Sequence, residues 1–235
     1  MILSHKHKFI FLRTKKTAGS SLEIHLSQYC GDNDVITIDD SEAEIMKKER
    51  GVFSRNYQLP ILEYRLSDWK ILLRTLSKKN IRHKYSNHMS ASDLKKVLPK
   101  KIWDSYFIFC FERNPYEKAV SAYLYHIRTH DLDIRNYSLE EFLNKNDYYR
   151  NFHRYTIDNK IAINVFEYKN INKEIERFIN KLGIRNQIPI PQAKAHQRRR
   201  KHYSKYYNTF TREIVEKNCF QELQQFKYEF EKSTD

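Results

Sequence analysis

Residues 8–21, KFIFLRTKKTAGSS, join an apolar run to a short polar loop and then to a helical pattern. Two later apolar runs, YFIFCFER at residues 106–113 and IAINVFEY at residues 161–168, are also each followed by a helical pattern. Continuous apolar runs are typical of strands that are covered on both faces, and their alternation with helices is typical of layered α/β domains. The sequence therefore predicts an α/β fold in which these three strands lie in a mainly parallel sheet.

Signals for helix ends accompany the three runs. After the first run, Ser20-Ser21-Leu22-Glu23 has the S-x-x-E form of a capping box. After the second, Asn114 suits the N-cap and Pro115 suits the first helical position. After the third, apolar residues keep helical spacing as far as Gly183, which predicts the end of that helix. Two further helices are predicted, at residues 90–98 and from about residue 209 to residue 230.

The length and composition indicate one soluble domain. A chain of 235 residues, 40% of them hydrophobic, can bury one core, so residues 1–235 are predicted to form a single domain. The three cysteines lie far apart in the sequence, which argues against a zinc site or a disulfide framework. No stretch suits a signal peptide or a membrane span, so a cytoplasmic location is expected.

The charge of the chain predicts an anionic partner. Lys and Arg number 43 against 29 Asp and Glu, which gives a net charge of +14 with neutral histidines. Such a balance favours nucleotide phosphates, nucleic acid, an acidic polysaccharide or a membrane surface. Charge alone does not choose among these partners.

The loop after the first run has the features of a phosphate site. Residues 14–21 place hydroxyls, a lysine and the N-terminus of a predicted helix together, and helix N-termini bind anions. The loop differs from a Walker A motif, because Lys16 precedes Gly19 instead of following a second glycine. An ordinary capped turn between a strand and a helix is the alternative.

A second candidate site lies at the end of the second run. Arg113 can donate two hydrogen bonds to a phosphate, and the hydroxyl of Ser121, eight residues later, can add another. By itself this pattern is also compatible with a structural N-cap beside an exposed arginine. Together with the first loop, it predicts a ligand that carries phosphates at two ends.

These two motifs resemble those of the sulfotransferases that use 3'-phosphoadenosine 5'-phosphosulfate (PAPS), of the family 2 type that includes carbohydrate sulfotransferases. The first signature of that family, commonly P-K-T-G-G-T-S, is similar to residues 15–21, KKTAGSS. The second, R-N-P-Y/W with a serine eight residues after the arginine, is similar to Arg113-Asn114-Pro115-Tyr116 with Ser121. The resemblance continues through NHMSASDLKKVLP and YYNTFTREIVEK.

The resemblance implies a three-layer α/β fold related to the P-loop nucleoside triphosphate hydrolases. It also implies that residues 30–87 and 184–208 are insertions on the acceptor or cofactor side. The chain departs from the family pattern at Lys15, where proline is usual, and at Ala18, where glycine is frequent. The residues implied to hold the 5'-phosphosulfate are Lys16, Thr17, Ala18, Gly19, Ser20 and Ser21, and those implied to hold the 3'-phosphate are Arg113 and Ser121.

Two residues are candidates for the chemistry. Lys16 would stabilise the charge that develops on the leaving oxygen, and His88 would act as the general base on the acceptor hydroxyl. The basic segment at residues 194–205, with Arg199 and Arg200, would close over the 3'-phosphate or attract an acidic acceptor. No clustered carboxylates predict a metal site. The expected co-substrate is therefore PAPS without a metal, and the expected acceptor is a carbohydrate or an acidic polysaccharide.

Two other functions compete with this one. A kinase or another phosphotransferase on the same fold would need ATP and magnesium, and the position of Lys16 argues against it. A basic nucleic-acid-binding protein would use the charge of +14, but it leaves the two motifs unexplained.

Overall fold

The computed structural model describes residues 1–66, 69, 82–184, 188–190 and 201–232. Within these residues, a five-stranded sheet has the strand order β3-β1-β2-β4-β7, and β5 pairs with β6 separately. The strands are β1 (Ile2–Ser4), β2 (Phe9–Phe11), β3 (Val35–Ile36), β4 (Phe107–Glu112), β5 (Thr156–Ile157), β6 (Lys160–Ile161) and β7 (Asn164–Glu167).

The three predicted strands are confirmed as neighbours in one sheet. Strand β2 pairs in parallel with β4, with Phe9 opposite Phe107, and β4 pairs in parallel with β7, with Cys110 opposite Val165. The sheet as a whole is mixed, however, because β1 is antiparallel to both β2 and β3. The prediction of a mainly parallel sheet is therefore correct for β2, β4 and β7 and wrong for the side of the sheet that β1 and β3 form. A tight hairpin, in which Lys8 has φ 54°, joins β1 to β2.

Helices follow each of the three parallel strands, as the sequence predicts. The helix after β2 begins at Gly19, the helix after β4 begins at Pro115 and the helix after β7 ends at Lys181, just before Gly183. The α-helices in the described residues are α1 (Gly19–Ser27), α2 (Ser41–Glu49), α3 (Ala91–Val97), α4 (Lys100–Ser105), α5 (Pro115–Thr129), α6 (Leu139–Lys145), α7 (Phe152–Tyr155), α8 (Ile171–Lys181), α9 (Thr209–Asn218) and α10 (Phe220–Phe226).

Two predictions about helix ends are wrong. Helix α1 has Ala18 as its N-cap, with no side-chain cap, and Ser20 lies inside the helix, so the predicted capping box does not form. Glu23 is buried and pairs with Lys47 at 2.7 Å instead. The predicted helix at residues 209–230 is two helices, because the chain turns at Cys219, which has φ −117° and ψ 25°.

Helices cover both faces of the sheet, which explains the continuous apolar runs. Alternate residues of β2 and β4 point to opposite faces, since side chains along a strand alternate. Phe9, Phe11, Phe109 and Phe111 pack with Leu22 and Leu26 of α1 and with Ile175, Phe178 and Ile179 of α8. Ile10, Leu12, Ile108 and Cys110 pack with Ala91 and Leu94 of α3 and with Tyr155 of α7. No helix in the described part of the chain is long and apolar enough to cross a lipid bilayer.

Candidate functional site

The loop that follows β2 has a strained backbone. Lys16 has φ 62° and Ala18 has φ 57°, so two non-glycine residues adopt the left-handed conformation within three positions. This conformation costs an L-residue about 1–2 kcal/mol. A glycine at the position of Ala18 would avoid that cost. Neighbouring groups must therefore hold this turn in place.

The Arg13 side chain packs against the turn at Gly19 and Ser20. It lies where a Cβ atom on Gly19 would be, since such an atom would come within 2.5 Å of Arg13 Cγ. The guanidinium donates from Nη2 to Ser20 Oγ at 2.7 Å. Gly19 is thus needed for close approach, and the Ser20 hydroxyl keeps its own proton to donate to a ligand.

The threonines on either side of the lysine pair stabilise the turn. Thr14 donates from Oγ1 to the main-chain carbonyl of Phe111 on the neighbouring strand β4. The Oγ1 atoms of Thr14 and Thr17 lie 2.8 Å apart, and Thr17 is buried. The hydroxyl of Thr17 therefore stabilises the loop, and the half-buried Ser21 lies on the first turn of α1.

Both lysines of the loop rest on aromatic rings. The Nζ atom of Lys15 lies 4.1 Å from the ring centroid of Tyr148, and that of Lys16 lies 4.1 Å from the centroid of Tyr125. The two rings stack with centroids 6.3 Å apart and planes 8° apart. Burial and the nearby charge of Arg154 lower the pKa of Lys15. Cation–π contacts of this kind place both ammonium groups beside the loop.

Arg113 brings the second motif to the first. Its Nη1 atom lies 3.5 Å from the main-chain oxygen of Lys16, which is 97 residues away in the sequence. The Nε atom donates to Glu117 at 2.9 Å, and the guanidinium carbon lies 4.6 Å from the ring centroid of Tyr168. The structure therefore brings the Arg113 guanidinium to the main chain of Lys16, the residue that the resemblance places at the other end of the same ligand.

Helix α5 begins as predicted and carries Ser121 on its second turn. Asn114 caps the helix, because its side chain accepts a hydrogen bond from the Tyr116 N–H at 3.1 Å. Lys118 is fully buried and donates to Glu112 at 2.6 Å, so it lies beneath the site. Ser121 is 4% exposed.

His88 lies against the start of the loop. Its Nδ1 atom is 3.3 Å from the main-chain oxygen of Arg13, and its own carbonyl accepts a hydrogen bond from Arg154. Burial and the charges of Arg13 and Arg154 lower the pKa of His88 to about 3. The imidazole is therefore neutral at physiological pH, which is the state that a general base requires.

A polar network that was not predicted from the sequence holds the Arg13 side chain. Arg13 donates from Nη1 to Asp39 and to Asn87 Oδ1, the latter at 2.9 Å, and Asn87 donates back to Asp39 at 3.0 Å. Burial would raise the pKa of Asp39, but Arg13 overrides this effect and lowers the pKa to about 2. The adjacency of Asn87 to His88 is the one sequence signal for this network.

Some predicted site residues lie outside the described residues. Arg199 and Arg200 are among them, as is most of the basic segment at residues 194–205. Within the described part of the chain, no group of three or more His, Cys, Asp or Glu side chains is arranged to hold a metal ion.

Comparison with known proteins adds one relationship. No protein-family model matches the chain. An uncharacterized protein of Archaeoglobus fulgidus is 34% identical over 108 residues, which cover 43% of this chain and 88% of the archaeal protein. The chain belongs to the same family as this archaeal protein.

Proposed function

We propose that this protein transfers a sulfuryl group from PAPS to an acceptor hydroxyl, with a carbohydrate as the acceptor. The approach of Arg113 to the Lys16 main chain carries the proposal. This contact supports a single ligand with two anionic ends. It places the loop before α1 next to Arg113, which follows the neighbouring strand β4. The resemblance to the PAPS-dependent family and the net charge of +14 also support it.

The described residues include groups that could hold each end of PAPS. The loop at residues 14–18 precedes the N-terminus of α1, and the first N–H groups of this helix would bind the 5'-phosphosulfate. Arg113 would bind the 3'-phosphate. Glu117 accepts its Nε–H and the Lys16 carbonyl oxygen contacts Nη1, and the remaining N–H groups of the guanidinium can bind an anion. Ser121, eight residues further on, would complete this end. The aromatic rings beneath Lys15 and Lys16 keep both cations near the loop without neutralising their charge.

The chemistry follows the pattern of phosphoryl transfer. PAPS supplies the sulfuryl group: the sulfur–oxygen bond to the 5'-phosphate breaks as a bond to the acceptor oxygen forms. Lys16 and the helix N–H groups stabilise the negative charge left on the 5'-phosphate. His88 accepts the acceptor's proton at Nε2. The products are a sulfate ester and PAP, the 3',5'-bisphosphate.

In the free protein the low pKa of His88 makes its neutral ring a weak base. Burial and the charges of Arg13 and Arg154 keep the ring neutral, so it does not repel the cations of the loop. A multiply charged anion bound beside Lys16 would oppose those cations, and its negative charge would raise the pKa of His88. The histidine would then become a stronger base when the donor is bound.

Binding of PAP in the presence of a chelator tests the proposal. Isothermal titration calorimetry should detect PAP binding without metal, and weaker binding of ATP, which lacks a 3'-phosphate. A thermal-shift series with the same ligands should give the same order, because a ligand that binds the folded state stabilises it. Stabilisation by ATP with magnesium but not by PAP would support a phosphotransferase instead. Tight, salt-dependent binding of an oligonucleotide without PAP binding would support a nucleic-acid-binding protein.

A further inference from the structure

Asn151 makes a two-way contact with the strained loop. Its side-chain amide donates from Nδ2 to the main-chain oxygen of Lys15 at 2.9 Å, and its Oδ1 accepts from the Lys15 N–H at 2.9 Å. The two residues are 136 positions apart, and Asn151 is fully buried. One side chain thus bonds both main-chain polar groups of the residue that precedes Lys16.

We propose that Asn151 is a positioning residue that holds the turn at residues 14–18 in its anion-binding shape. The inference rests on the proposed function for the identity of the anion, the 5'-phosphosulfate of PAPS. It extends that function by naming the group that orders the loop, which nothing in the two sulfotransferase-like motifs indicates.

The turn needs such a restraint because its backbone is strained. Left-handed residues such as Lys16 and Ala18 persist only where the surrounding structure fixes them. The related family usually has proline at the position of Lys15, and a proline ring fixes φ by itself. Lys15 lacks that ring, and the paired hydrogen bonds from Asn151 supply a restraint at the same position.

Asn151 is itself held by buried groups on two other elements. Its N–H donates to Glu222 Oε1 of α10 at 3.1 Å, and the Phe152 N–H donates to the same oxygen at 3.2 Å. Glu222 is 2% exposed. Asn151 Nδ2 also lies 3.4 Å from Glu112 Oε1, which accepts a hydrogen bond from Lys118. The paired bonds to Glu222 fix the main chain of Asn151 and Phe152 against α10, so the start of α7 is a firm base for the loop.

This arrangement connects the C-terminal helices to the candidate site. Loss of the Asn151 side chain would release Lys15 from the network while the loop's other contacts, through Thr14 and Arg13, remain. Lys16 and Ala18 would then be free to relax toward right-handed or extended backbone, which L-residues prefer. The Lys16 side chain and the helix N–H groups would lose their common orientation.

The test compares Asn151→Ala with Asn218→Ala. Asn218, at the end of α9, donates from its side chain to Tyr149 at 2.8 Å, so the control also loses a partly buried hydrogen bond. PAP affinity is measured by calorimetry, and amide hydrogen exchange is measured in the peptide that covers residues 14–20, under conditions where unfolding curves show each protein to be folded. We expect Asn151→Ala to weaken PAP binding at least tenfold and to speed exchange in that peptide, and Asn218→Ala to change neither.

The two measurements separate this inference from the proposed function. Wild-type affinity together with wild-type exchange in folded Asn151→Ala would overturn the positioning role. If the wild-type protein does not bind PAP, the proposed function fails, and exchange at residues 14–20 alone decides the role of Asn151. If Asn151→Ala does not fold, Asn151→Ser replaces it, because a hydroxyl keeps a polar group in the network but is too short to bond both groups of Lys15.

Discussion

The Nδ1 atom of His88 faces the main-chain oxygen of Arg13 at a distance of 3.3 Å. A carbonyl oxygen only accepts hydrogen bonds, so this contact places the proton of the neutral imidazole on Nδ1. The lone pair is then on Nε2, which is the atom that can accept a proton from a substrate. Arg13 therefore has two roles: its guanidinium supports Gly19 and Ser20, and its carbonyl fixes the tautomer of His88.

The low pKa of His88 predicts a loss of stability in mild acid. The pKa of His88 is about 3 in the folded protein, below the ordinary value of 6.5. Between these two values only the unfolded chain binds a proton at His88. The free energy of unfolding is therefore unaffected by His88 above pH 6.5 and decreases as pH falls from 6.5 toward 3. Each pH unit in this window costs about 1.4 kcal/mol. Urea unfolding at pH 7 and pH 5 should show that the wild type loses about 2 kcal/mol more than His88→Gln.

This pH range isolates the histidine effect from the buried carboxylates. Asp39 has a folded pKa of about 2 against an ordinary 3.8, so its contribution is present above pH 3.8 and is lost only below that value. His25 also has a lowered pKa, about 4, but it is present in both proteins and its effect cancels. Equal losses of stability in the wild type and His88→Gln would show that His88 titrates normally.

Arg113→Ala should weaken PAP binding by about one to two powers of ten. The variant removes hydrogen bonds to an ionised phosphate, which contribute about 1.5–3 kcal/mol, and about 1.4 kcal/mol corresponds to tenfold in affinity. Arg177→Ala is the matched control, since Arg177 also pairs with a glutamate on its own helix, Glu174, but lies on α8 and is exposed. PAP affinity by calorimetry is the measurement. A folded Arg113→Ala protein that binds PAP like Arg177→Ala would remove Arg113 from the donor site.

Ala18→Gly should stabilise the protein by about 0.5–1 kcal/mol. Ala18 has φ 57°, and the left-handed conformation costs an L-residue about 1–2 kcal/mol, which glycine avoids. Glycine also gives the unfolded chain more conformational freedom, and this reduces the gain by about 0.4–1 kcal/mol. Lys227→Gly is a matched variant at an exposed helix end with φ 53°, and it should be stabilised to a similar extent. Urea unfolding at pH 7 measures both. A destabilised Ala18→Gly protein beside a stabilised Lys227→Gly protein would mean that the methyl group of Ala18 has a packing role.

The fold was predictable where local patterns determine it. The three parallel strands, the helices that follow them and the Asn114 cap all come from contiguous residues with strong apolar or capping signals. Strand β1 was missed because it has three residues and forms only by pairing with β2 and β3. The predicted capping box does not form because its two side chains have other partners: Ser20 bonds Arg13, and Glu23 pairs with Lys47. The break at Cys219 has no glycine or proline to mark it.

The candidate site divides in the same way. The positions of Lys16 and Arg113 between a strand and a helix were predictable because the spacing from strand and helix ends is local. The groups that hold them were not, since Asn151 contacts Lys15 across 136 residues and Asp39 contacts Arg13 across 26. Such contacts depend on the packing of whole elements, and no periodicity in the sequence encodes them.

The last prediction separates donor chemistry from acceptor chemistry. Lys16→Ala should strongly reduce turnover and also weaken PAP binding, because the variant removes a positive charge from the loop at residues 14–18 that would bind the 5'-phosphate. His88→Ala should reduce turnover by about 10²–10⁴, the usual effect of losing a general base, and leave PAP affinity nearly unchanged. Transfer of labelled sulfate from PAPS to a carbohydrate acceptor measures turnover, and calorimetry measures binding. His130→Ala is the control, because His130 is an exposed histidine at the end of α5. If folded His88→Ala turns over like His130→Ala, His88 is a structural residue at the start of the loop, and the base must be sought among the other acidic and histidine side chains of residues 30–87.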